Sequence, residues 1–64
     1  MKRTNIKVQR VLKDMTQQQL ADEVGLARQS VHQIEAGKGN PRLNVAMRLA
    51  KFFGMSVEDL FNTD

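Results

Sequence analysis

The chain has no cysteine, no tryptophan and no tyrosine, and among its 64 residues there is one proline and one histidine. Without cysteine there is neither a disulfide framework nor a thiolate metal site. His32 stands without a second soft ligand, so no metal and no cofactor are expected. No apolar run approaches the ~18 residues that a membrane span needs. No signal peptide is visible either, so a cytoplasmic protein with no membrane partner is expected. Also missing are a nucleophile–base set, paired carboxylates in a cleft and a phosphate-cradling glycine loop. The sequence therefore predicts no enzyme and no small-molecule substrate.

What is present is short and basic. Sixty-four residues suit one small domain over 1–64, with a core of about 6–61. A domain of this size buries only ~60% of its unfolded surface. Its stability must come from apolar packing, with 41% hydrophobic residues, and from well-made helix ends. The net charge is +3. Lys2, Arg3, Lys7, Arg10 and Lys13 crowd the first positions, and Arg28, Lys38 and Arg42 form a second group. A basic balance favours polyanionic partners.

Helical punctuation divides the chain into five segments. Thr4 or Asn5 can cap a first helix running to about Lys13, with Ile6, Arg10 and Lys13 near one stripe and Val8, Val11 and Leu12 beside it. Asp14 occupies a position that often needs positive φ, where Gly or Asn is easier. Thr16-Gln-Gln-Gln19 is a capping box, flanked by Met15 and Leu20 at staple positions. The second helix turns Leu20, Ala21 and Val24 inward and stops at Gly25. A third begins near Ala27, a poor N-cap, and stops at Gly37. Lys38-Gly-Asn-Pro41 is a turn. A fourth helix spans about Leu43 to Phe53, and its apolar residues cover more than one face, which predicts a buried central helix. Gly54 ends it. Ser56 caps a short fifth helix carrying Val57, Leu60 and Phe61 on one side. The pattern predicts an all-α, compact five-helix bundle.

Residues 16–37 carry the chemistry. Val31 and Ile34 are expected inward, which turns Arg28, Gln29, His32 and Gln33 outward on one face. An amide such as Gln29 or Gln33 donates and accepts at once, matching adenine N6 and N7. Arg28 can give two hydrogen bonds to guanine O6 and N7. The free amides at the start of the second helix suit a phosphate. His32 reads as a groove or phosphate neighbour, or as an exposed side chain, in preference to a metal ligand.

These residues resemble the lambdoid phage repressor and Cro type of helix-turn-helix domain, the large group of xenobiotic-response-element-like bacterial regulators. The likeness rests on Thr16-Gln17, Leu20-Ala21, Gly25, Arg28-Gln29-Ser30, Ile34-Glu35, Gly37-Lys38, Asn40-Pro41, Leu49-Ala50, Gly54, Ser56-Val57 and Leu60-Phe61. It runs from about Ile6 to Phe61. The resemblance implies a third helix lying in the major groove of double-stranded DNA, with Arg28, Gln29, Ser30, His32 and Gln33 facing bases. It implies phosphate contacts from Gln17, Gln18, Lys38, Asn40 and Arg42, with Gln17 also a buttress. It implies an internal salt bridge between Arg10 and Glu35. Ala27, Asp14 and Ala36 depart from the common pattern, in which Ser or Thr, Gly, and Asn are frequent.

The implied function is a transcriptional regulator, repressor or activator, that binds a palindromic operator as a dimer. The dimer contact is expected at Phe61, weak in free solution and strengthened on DNA. A protein-interaction adaptor or antitoxin of the same fold is the alternative. An adaptor has no need of the polar face of Arg28, Gln29 and Gln33.

Overall fold

Four of the five helices end through one hydrogen-bonding device. In the computed structural model, which describes residues 5–38 and 41–61, the elements are α1 (Ile6–Leu12), α2 (Gln17–Val24), α3 (Arg28–Glu35), α4 (Leu43–Phe53) and α5 (Val57–Phe61). After α1, α2, α3 and α4 one residue takes positive φ and the next amide returns to a carbonyl five residues back. These bonds are Met15 to Arg10, Leu26 to Ala21, Lys38 to Gln33 and Met55 to Ala50, at 2.9–3.1 Å. Each brings the chain back onto a carbonyl of the last helical turn. Asp14 is the one non-glycine residue among the described positions at positive φ, 55°. Aspartate tolerates this better than most because its short polar side chain can bond locally.

Helix starts are more varied. Thr16 Oγ1 accepts from the Gln19 amide at 3.0 Å, and the Gln19 side chain accepts from the Thr16 amide at 2.8 Å. The capping box is complete. Ser56 Oγ accepts from the Asp59 amide at 3.0 Å and opens α5. Ala27 gives α3 no side-chain cap. Asn5 does not cap α1 with its side chain, contrary to the capping role expected for it. Its Nδ2 donates instead to the Asp59 carbonyl at 2.8 Å, and its amide donates to the Leu60 carbonyl at 3.0 Å. The side chain ties the first helix to the fifth. Thr4, the other capping candidate, lies outside the described residues.

The core collects one stripe from each helix: Ile6 from α1, Leu20, Ala21 and Val24 from α2, Val31 and Ile34 from α3, Leu49, Ala50 and Phe53 from α4, Leu60 from α5. Met15, Leu26, Val45, Phe52, Met55, Val57 and Phe61 close its edges. Leu20 is fully buried; at ~25 cal/mol per Å2, such burial contributes about 1.5–3 kcal/mol. α4 differs from the expectation of a buried central helix. Only Ala46, Leu49, Ala50 and Phe53 are buried, while Leu43 and Met47 are 69% and 56% exposed. Its apolar residues are numerous, but they recur at helical spacing on one side, and Asn44, Arg48 and Lys51 occupy the other. On α1, Val8, Val11 and Leu12 are exposed, leaving Ile6 as its buried anchor.

Candidate nucleic-acid interface

α2 and α3 share the most extensive contact between any two helices among the described residues. Gly25 makes the turn between them. Its φ of 70° is unfavourable for a residue with a side chain. A Cβ at this position would also lie 3.2 Å from Nη1 of Arg48. That guanidinium donates to the Val24 carbonyl at 2.9 Å and so closes the end of α2 from across the fold. No sequence reasoning singled out Arg48. It lies on the polar side of α4, and its partner stands 24 residues away, beyond the reach of helical periodicity.

The inner side of α3 is fixed by two kinds of contact. Val31 and Ile34 are buried in the core. Glu35 is buried too, only 4% exposed, and every buried polar side-chain atom among the described residues has a partner. Arg10 Nε donates to Glu35 Oε2 at 2.6 Å, and Arg10 Nη2 donates to Glu35 Oε1 at 3.1 Å. This is the bidentate fork that guanidinium and carboxylate geometry favours. Arg10 Nη1 donates to the Met15 carbonyl at 2.6 Å, and Gln17 Nε2 donates to Glu35 Oε1 at 3.1 Å. One carboxylate on α3 thereby holds α1 and the start of α2. Removing one member of such a buried pair typically costs about 3–5 kcal/mol.

The outer side is the opposite. Arg28, Gln29, His32 and Gln33 are exposed, and Ser30 is half-buried at the edge. Among the described residues, the side chains of Arg28, Gln29 and Gln33 have no hydrogen-bond partner, so their donors and acceptors are available. Two shallow depressions flank them. One is lined by Gln17 and Gln18 of α2 with Arg28, Gln29 and His32. The other brings Lys38, Pro41 and Arg42 beside Ser30, Gln33 and Ile34. Gln18 is exposed, with its amide donating to Asp22 at 2.9 Å. Asn40 lies outside the described residues. Phe61 is half-buried against the core on the far end of the chain.

The comparisons with known proteins agree with this geometry. The helix-turn-helix family profile matches residues 6–60. An uncharacterised HTH-type transcriptional regulator of Methanocaldococcus jannaschii is 42% identical over 59 residues, spanning 92% of this chain and 89% of that protein. The crystal structure of the restriction-modification controller protein C.AhdI from Aeromonas hydrophila is similar with a TM-score of 0.78 and 30% identity, covering 89% of this chain and 86% of that one. A hypothetical transcription factor from Neisseria superposes with a TM-score of 0.81 at 29% identity, over 92% of this chain and 66% of that one. With two short helices, a left-handed glycine between them and a family match across all five elements, the chain belongs to the helix-turn-helix family of transcriptional regulators.

Proposed function

We propose that this chain reads specific DNA sequence by laying α3 in the major groove, and that it acts as a dimer on a palindromic operator. The observation that carries the reading is the division of α3. Its inner residues are consumed by the core and by Glu35, while Arg28, Gln29 and Gln33 keep unspent hydrogen-bonding groups on one exposed face. These are the residue types that pair with guanine and adenine edges, each good bidentate contact discriminating by about 1–3 kcal/mol. Ser30 and His32 complete the base-facing set. The flanking depressions put Gln17 and Gln18 on one side of α3 and Lys38 and Arg42 on the other, which suits the two phosphate backbones bordering a groove. Asn40 is a further proposed phosphate contact, from the resemblance alone.

One such helix reads only about four or five base pairs, so a second copy is needed for a useful site. The described fold measures 26 × 23 × 22 Å, so two abutting copies can set their α3 helices about 34 Å apart, one turn of the duplex. The exposed flank of Phe61 is the proposed contact, and its small area makes self-association weak until DNA holds both copies. Three or four phosphates neutralised per subunit give a dimer salt slope of about −5 to −7.

Selection of bound fragments from random duplex DNA tests the reading. Enrichment of an inverted repeat with half-site centres about 10 base pairs apart is expected. Recovery of unenriched DNA, with equal gel shifts on every sequence, would leave a non-specific binder; no shift at low salt would favour the protein-interaction adaptor.

A further inference from the structure

The Gln17 amide nitrogen that donates to Glu35 Oε1 at 3.1 Å also stands 3.4 Å from Nδ1 of His32. We infer that Gln17 fixes the ring tautomer of His32, so that the recognition helix presents an N–H donor at Nε2, making Gln17 a positioning residue for sequence specificity. An ionised carboxylate only accepts hydrogen bonds. Glu35 is already paired with Arg10 and receives Gln17 on Oε1. The Gln17 amide cannot be turned round there, because its oxygen would then face a carboxylate oxygen. Its NH2 group has two hydrogens. One serves Glu35 and the other is available to His32, so the phosphate contact proposed for Gln17 falls to its backbone N–H at the start of α2. The ring nitrogen that meets it must be the acceptor, so Nδ1 is bare. The proton of the neutral imidazole therefore sits on Nε2, since the bond at one ring nitrogen decides the state of the other.

Among the described residues, Gln17 is the one side chain within hydrogen-bond reach of a His32 ring nitrogen. Nε2–H is left to the exposed side of α3. A donor there selects an acceptor on the duplex: guanine O6 or N7, adenine N7, thymine O4, or a phosphate oxygen. The opposite tautomer would present an acceptor and select the amino groups of cytosine or adenine. A side chain that touches no base thus decides which base edge its neighbour reads. The inference rests on the proposed reading that α3 faces DNA.

Two measurements keep the two ideas separable. Long-range proton–nitrogen NMR on the free protein, at a pH where the ring is neutral, reads the tautomer without DNA. The expected spectrum has a bare Nδ1 and a protonated Nε2 in the native chain, with the Nδ1–H form gaining population in Gln17→Ala. Ring shifts identical in the two proteins, or Nδ1–H as the native form, overturn the inference whatever DNA does. Fragment selection is then repeated with both variants. His32→Ala should relax the preference for one base, with a loss of about three- to ten-fold on the best site. A uniform weakening on all sequences would instead assign the acceptor to a phosphate. Gln17→Ala should relax the same base position as His32→Ala, and in the double variant no further relaxation should appear. If the NMR result holds but no sequence is selected, the DNA reading fails and the control of the ring by Gln17 stands.

Discussion

Both sides of α3 carry hydrogen-bonding side chains, and the two sides put them to opposite use. Glu35 on the inner side and Gln29 on the outer side both carry hydrogen-bonding groups. Glu35 is 4% exposed and is bonded by Arg10 and Gln17, whereas Gln29 is exposed with its amide unengaged. Buried polarity must be paired, because an orphaned group costs its full desolvation. Exposed polarity without a protein partner is satisfied by water, which another molecule can displace. Polarity therefore marks a functional surface only together with exposure and freedom from internal partners.

This contrast breaks most sharply on the inner side. Glu35→Ala strands the Arg10 guanidinium and should destabilise the fold by about 3–5 kcal/mol, much of what a 64-residue domain has, read by urea unfolding. An unchanged midpoint would show that the Arg10–Glu35 fork is incidental. On the outer side, Gln29→Ala should leave the unfolding midpoint within ~0.5 kcal/mol of native. It should relax base preference at one operator position by about 1–3 kcal/mol, measured by fluorescence anisotropy on matched and mismatched duplexes. A variant with native preference would remove Gln29 from the reading face. Between the two sides lie the helix ends. Ala27→Ser adds the cap that α3 lacks and should stabilise by about 1 kcal/mol, raising Tm by roughly 4–8 °C. The smallest effect belongs to the rim: Lys38→Ala should weaken all sequences alike and flatten the salt slope by about one unit. A change confined to one operator sequence would make Lys38 a base reader instead.

The helices themselves were largely legible. Thr16 with Gln19, Ser56, Gly25, Gly37 and Gly54 mark ends by chemistry that acts over three to six residues, and the structure places ends there. Asp14 takes the positive φ that its place after α1 demands. The inward turn of Val31 and Ile34 follows from helical spacing alone. Less was legible where a residue serves a distant segment. Asn5 looked like a cap because caps are local, yet its amide is used by α5, 54 residues on. Apolar residues on more than one face of α4 predict a buried central helix, but their angular positions leave Leu43 and Met47 outside. Arg48 gave no local sign of its bond to Val24.

The order of apolar and polar residues was enough to determine five helices, their ends and the side of α3 that faces out, since periodicity and capping depend on neighbours within a turn or two. The polarity of the Gln17 amide, the pairing of Glu35 and the closure of α2 by Arg48 were decided only when separate helices met. Hydrogen bonds across the fold depend on distances that no spacing along the chain encodes.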